Sequence, residues 1–330
     1  MQTVYFSLEA SIILTFLAAA MWGSWMQIIN HLKGYPISGV IFWLYTFSFV
    51  LIWGITLAVA PSLLEHGILA TTKLRMDVIP KIILGGAMMS LGLYFSLKVI
   101  GSVGLILSTT VSGGIGTLLG LGTSIFEEGL PKGKNVVLLL TVTTIMLIAA
   151  GFLSSYASQL RDKERGKAKK ESGAVSGKIV LFMLLSAVLT NGWSMGTATG
   201  TASGLPPILT CAYMATGSFL SIAVICGVAF TVKKQWKQVL CIGTSKKPLA
   251  LCAISSVCHY GGNLISIYSM PAISATISFL LGKSSGVWTI FWGGVYKEFS
   301  GVSNKTRAFL YISVLLYLLG TAFLTIYKFG

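Results

Sequence analysis

The sequence predicts an all-α polytopic membrane protein of ten transmembrane helices, arranged as two inverted five-helix repeats. Three observations carry that expectation. The 330 residues are 54% hydrophobic and only 10% charged, against roughly 25% charged in an ordinary soluble domain. The apolar residues run in continuous stretches of about 20, the length of a helix that crosses a bilayer. The two halves of the chain also echo one another at a shift of 170 positions. The same composition excludes a soluble enzyme, a disordered chain, a fibrous repeat and a disulfide scaffold.

Hydropathy runs bounded by charge, Gly or Pro place the spans at 7–30, 38–61, 78–97, 103–125, 135–155, 178–200, 206–231, 249–269, 272–295 and 306–327. Each is expected to be helical, because backbone polar groups in lipid must pair within the segment. A β-barrel is excluded, since its strands would alternate apolar and polar residues. No Lys or Arg precedes Lys33, so the first stretch lacks the basic start of a cleavable signal and is expected to remain as a span. The five cysteines form no CxxC pair and read as small buried hydrophobes.

Orientation follows from the basic residues. With ten spans, 17 Lys and Arg fall in loops on one side and 6 in loops on the side of the termini, with Lys283 inside a span. The positive-inside rule puts the richer side in the cytoplasm and both termini outside. The chain then divides into a five-helix repeat over 1–157, a basic cytoplasmic linker over 158–177 and an inverted five-helix repeat over 178–330. The expected location is the plasma membrane, or the inner membrane in a bacterium. The net charge of +15 reads as loops facing anionic lipid rather than as a nucleic-acid surface.

At the 170-residue shift, Gly34 and Pro36 fall on Gly204 and Pro206, Gly92 on Gly262, Ser96 on Ser266, Ser108 on Ser278, Gly116 on Gly286 and Glu128 on Glu298. Each pair occupies the same span or turn of its half. Five helices is an odd number, so the second half enters the membrane upside down. Inverted repeats of this kind mark transporters, with a substrate site near the midplane. The plainer reading is a duplication that carries no transport.

Polar residues inside spans are costly and point to function. Trp22, Trp25 and Gln27 lie in span one, Tyr94 in span three, Asn191 and Trp193 in span six, His259 and Asn263 in span eight, and Lys283 in span nine. Aromatic rings beside amides suit a sugar or a heterocycle: the ring stacks on the apolar face while the amide meets hydroxyls or ring nitrogens. His259 and Asn263 are four apart and share a helix face. A His changes charge near neutral pH, so His259 and the terminal Glu9 are the candidates for proton coupling. Each has a plainer reading too: a packing aromatic, a hydrogen-bonded core His. Lys283 lies too deep for easy snorkelling and is expected to face a cavity or a partner. No metal-ligand cluster, phosphate cradle or catalytic triad is visible. An enzyme, a cofactor and a resident metal are therefore not expected; a proton is the one candidate coupling ion.

Several stretches resemble a known family. "GGAMMSLGLYFSLKVIGSVGLILSTTVSGGIGTLLGLG" (85–122) is similar to the third and fourth helices of the drug/metabolite transporter superfamily. "ASQLRDKERGK" (157–167) and "SFLLGKSSGVWTIFWGGVYKEFSG" (278–301), which holds Lys297–Glu298, resemble the central loop and ninth helix of L-rhamnose–proton symporters. "MWGSWMQIINHLKG" (21–34) resembles the first helix of bacterial glucose/ribose porters and plant ureide permeases. The resemblance implies ten helices in inverted repeats and a central cavity lined mainly by helices one, three, six and eight. It also implies proton-coupled uptake of a small polar solute by a monomer or homodimer. Lys283 departs from the family's pattern. The alternatives are a ureide or nucleobase permease, an exporter of amphipathic metabolites or drugs, and a non-transporting receptor.

Overall fold

A computed structural model describes residues 3–32, 34–103, 105–133, 135–166 and 177–329. Half of the 158–177 linker, residues 167–176, lies outside the described residues, as do the side chains of Ser108, Thr109, Thr110 and Ser112. Among the described residues the secondary structure is entirely helical. The elements are α1 (Leu8–Ser24), a 3-10 turn (Trp25–His31), α2 (Ile37–Leu63), α3 (Gly67–Leu74), α4 (Ile79–Val103), α5 (Leu105–Glu128) and α6 (Val136–Glu164). They continue as α7 (Gly177–Thr190), α8 (Gly192–Ser203), α9 (Pro207–Val232), α10 (Trp236–Val239), α11 (Lys247–Ile273), α12 (Ala275–Gly282), α13 (Ser285–Val295) and α14 (Asn304–Phe329).

Seven described helical stretches are long and apolar enough to cross a membrane: Leu8–His31, Ile37–Leu63, Ile79–Leu97, Val136–Glu164, Pro207–Val232, Lys247–Ile273 and Asn304–Ile326. The chain is thus an all-α membrane protein. The span expected at 103–125 corresponds to α5. Those expected at 178–200 and 272–295 differ from a single continuous helix. The first is broken at Asn191; the second starts within α11, which runs to Ile273, and is interrupted at Ser274 and again at Lys283–Ser284. Neither Asn191 nor Ser284 makes a side-chain capping bond; glycine beside each of these two breaks, at Gly192 and Gly282, weakens the helix there.

The helices α2, α4, α9 and α11 enclose the larger core, with Leu44, Tyr45, Ile82, Leu209, Met214 and Tyr260 fully buried. Around it, α1 packs on α11 and α13, while α7 and α8 pack on α4. A second core joins α6 and α14 through Leu147, Tyr317 and Leu324. With 29 residues, α6 is about 43 Å long at 1.5 Å per residue and overruns a ~30 Å hydrocarbon core. Its projecting end carries Glu164, whose carboxylate accepts from the Ser303 N–H and from the Ser303 and Thr306 hydroxyls at 2.8, 2.5 and 2.7 Å.

The tightest joint lies between α4 and α9. In membranes, small residues let helix backbones approach closely. A Cβ built on Gly217 stands 1.9 Å from the Ile83 carbonyl oxygen, and one on Gly86 stands 2.0 Å from that of Met214. Both obstacles are backbone, so they cannot swing aside. Gly217→Ala is expected to lower stability by on the order of 1–3 kcal/mol or more. Gly54→Ala on α2, where nothing lies within 4 Å, should be neutral or slightly stabilising. Thermal unfolding of both variants in detergent checks the contrast, and equal behaviour would refute the tight joint.

Candidate functional site

The site is built where helices stop being regular. At Trp25, α1 tightens into the 3-10 turn, and Ser255 on α11 donates from Oγ to the Trp25 oxygen at 2.6 Å. One turn further along α11, His259 stacks flat on the Trp25 ring, with centroids 4.8 Å apart and planes at 16°. One turn beyond that, Asn263 Oδ1 accepts from Trp22 Nε1 at 2.8 Å. Trp22 in turn meets Trp193 of α8 edge to face at 5.7 Å. The i, i+4 spacing of His259 and Asn263 and the i, i+3 spacing of Trp22 and Trp25 thus match two helix faces against each other.

Several polar atoms here are left over. His259 Nδ1, Asn263 Nδ2, Asn191 Oδ1 and Ser194 Oγ are buried and meet no hydrogen-bond partner. An unsatisfied buried group costs about 1–3 kcal/mol; hydroxyls elsewhere among the described residues share that state, and what sets this region apart is an imidazole and two amides close together. Asn191 uses its amide nitrogen on Thr123 of α5, at 2.7 Å. On its far side His259 faces Tyr45 of α2, with Nε2 3.5 Å from the hydroxyl. Tyr260 shares a 2.7 Å hydrogen bond with Ser218, which donates to the Gly86 oxygen.

The structure therefore brings together Trp22, Trp25, Trp193, His259 and Asn263, with Asn191 at the neighbouring helix break. The other expected residues sit elsewhere. Gln27 bonds within its own turn, to the Gly23 oxygen and Asn30, both at 3.4 Å. Tyr94 is buried against Phe95. Glu9 is exposed in the first turn of α1. Lys283 lies at the α12–α13 break with Nζ 4.4 Å from the centre of the Phe279 ring.

Lys283 also lines a cavity of about 380 Å³ between α5, α6, α13 and α14. None of the aromatic and amide residues of the cluster lines it. Sequence reasoning missed this space and its Ser154, Ser158 and Tyr317. It also missed Tyr45 and Thr123. The run of small hydroxyl residues on α6 was the available signal for the cavity. Tyr45 is indistinguishable in sequence from the other aromatics of its span.

No family model matches the chain, and no curated protein matches it in sequence. Solved structures do resemble it. One, a crystal structure described only as that of a protein, shares 15% identity with a TM-score of 0.63, over 96% of this chain and 97% of that one. At that identity the likeness shows the fold, across nearly the whole length of both chains.

The Trp22–Asn263 bond is the joint of the cluster. Trp22→Phe leaves the Asn263 amide wholly unpartnered, and Asn263→Leu strands the indole N–H. Each single change is expected to cost about 1–3 kcal/mol, and the double variant less than their sum, by on the order of 1 kcal/mol. A double-mutant cycle by chemical denaturation in detergent measures the coupling, and strict additivity would dissolve the bond.

Proposed function

We propose that the protein is a secondary active transporter of the drug/metabolite transporter superfamily. It imports a small polar solute, a sugar of the rhamnose or glucose type, by alternating access. One observation carries the reading: residues from opposite halves of the chain meet at two irregular helices, and they offer aromatic rings beside unpartnered amide and imidazole atoms. A pyranose presents both an apolar face and a fringe of hydroxyls. Trp22, Trp25 and Trp193 suit the face, while Asn263 Nδ2, His259 Nδ1 and Asn191 Oδ1 suit the hydroxyls. Discontinuous helices that line a buried polar site are a recurring transporter device.

Ten membrane segments in inverted repeats complete the proposal. Gly34 and Gly204 both adopt positive φ, at 80° and 71°. Each stands two residues before an extended proline, Pro36 or Pro206, that opens the next long helix. Gly92 of α4 approaches Leu189 and Thr190, and its counterpart Gly262 of α11 approaches Ala18 and Trp22. Those neighbours fall at nearly the same 170-residue offset. Pairwise packing follows suit: α4 lies on α9 as α11 lies on α2, and α1 lies on α11 as α7 and α8 lie on α4. A twofold exchange of the halves accounts for all of these.

The resemblance to rhamnose–proton symporters favours a proton as the coupling ion, and His259 is the titratable group within the cluster. In proteoliposomes, L-rhamnose or glucose should be taken up, and Asn263→Ala or Trp193→Ala should abolish uptake in folded protein. His259→Gln should flatten the pH dependence of flux. If no sugar is transported and none raises Tm, the substrate assignment fails. Allantoin and uracil in the same screen test the ureide and nucleobase alternative.

The excess of Lys and Arg places the 158–177 linker in the cytoplasm. A cysteine at position 167 of a cysteine-free variant should stay unreactive toward an impermeant reagent added outside intact cells. Strong labelling from outside would invert the topology.

A further inference from the structure

The cavity that holds Lys283 has a chemistry of its own, separate from the aromatic–amide cluster. Lys283 stands midway along the α12–α13 pair, between Ala275 and Val295. From there the cavity runs to the end of the molecule where Glu298 and Phe299 line it. Its walls are largely apolar, with Leu147, Ile148, Phe152, Ile290, Leu310 and the ring of Tyr317. Hydroxyls punctuate them at Thr117, Ser154, Ser155, Ser158, Ser285 and Thr289.

Two charged residues line the space, and only one is compensated. Glu298 accepts from Arg161 Nη1 at 2.6 Å. Arg161 also bonds Asp162 and covers the Phe299 ring at 5.0 Å, which holds it at that end. Among the described residues, Lys283 is in no ion pair. Its Nζ rests on the Phe279 ring. A ring face attracts an ammonium but accepts no ordinary hydrogen bond from all three of its N–H groups. An ammonium inside a membrane costs at least about 2.5–3.5 kcal/mol even on the lenient insertion scale, so its place beside an open space calls for an anion.

We propose that this cavity is a binding site for an amphipathic monocarboxylate, with Lys283 as the counter-ion of the carboxylate and the apolar walls around the body of the ligand. One uncompensated ammonium matches one negative charge. The volume falls in the range of small-molecule sites, roughly 300–1,000 Å³. A di- or trianion would find no second free cation among the described lining residues. An uncharged sugar would forgo the ammonium. The proposal does not rest on the sugar reading, because it concerns different residues and a different ligand class.

The test is thermal unfolding of the full chain in detergent with benzoate, phenylacetate and 3-phenylpropionate, each beside its neutral amide. At least one acid should raise Tm by several degrees and its amide should not. Lys283→Met should abolish the shift, whereas Lys283→Arg keeps a cation and should retain part of it. A second variant guards against a folding defect. A Cβ on Gly113 meets nothing within 4 Å, so Gly113→Leu fills the lining without touching Lys283, and it should also abolish the shift. The proposal is overturned if no acid in the series raises Tm. It is overturned equally if each amide matches its acid, or if the acid shift persists in both Lys283→Met and Gly113→Leu. Sugar-dependent shifts, measured in the same samples, report on the aromatic–amide cluster alone, so the two readings fail separately.

Discussion

A polar atom inside a bilayer has no water to turn to, and the architecture of this protein follows from that constraint. Most of the chain meets it in the simplest way, with long helices whose backbone groups pair among themselves. Many hydroxyls do the same. Thr15, Thr46, Thr56, Thr197 and Thr201 each donate back to the carbonyl four residues earlier in their own helix. Such residues add polarity to the sequence without adding any exposed polarity to the fold. They are why a count of Ser and Thr in spans is a poor guide to function.

Where a helix breaks, the released groups must be met from outside it, and each break here is joined to a neighbour. Beside the Trp25 turn, Ser255 donates to the Trp25 carbonyl, and at the Asn191 break the Asn191 side-chain amide donates to Thr123. The start of α12 is met by Glu128, whose carboxylate accepts from the Ala275 N–H at 2.6 Å. Beside it, Glu127 pairs with Lys81 at 2.5 Å and accepts from Thr199 at 3.2 Å. At the opposite end, Arg161–Glu298 and Glu164–Ser303 tie α6 to the segment ahead of α14. Exposed ion pairs contribute little on their own. Their value here is geometric, since each joins a helix end to a neighbouring element.

The broad outline was legible because hydropathy is a long-range average that survives local exceptions. The long helices fall on most of the expected spans, and the i, i+4 spacing of His259 and Asn263 places both on one face of α11. What stayed hidden were features of one or two residues. The break at Asn191 reads in sequence as one more polar residue in an apolar run. Its consequence, a helix that restarts at Gly192 in contact with the Gly85 backbone, depends on a partner more than a hundred residues away. Gln27 and Tyr94 looked equivalent to Trp22 and Asn191 as polar or aromatic residues at depth. Azimuth about the helix axis separates them, and a sequence without a fixed partner face does not encode azimuth. The cavity was hidden for the same reason, because it arises from what four helices fail to fill.

The α12–α13 break stands between the two polar regions of the molecule. Its Gly282 side is in contact with Trp22, where a Cβ would stand 2.6 Å from the indole ring. The next residue, Lys283, lines the cavity on the other side. The α13 end is fixed to α1 as well, for Trp292 Nε1 donates to Ser24 Oγ at 2.7 Å and Gly23 abuts the Ser285 carbonyl. Both interruptions, that of α1 at Trp25 and that of α12 at Lys283, are therefore bridged by direct contacts. The residue that interrupts the ninth expected span thus sits between the two polar regions, and it is the break that lets Gly282 meet Trp22 while Lys283 lines the cavity.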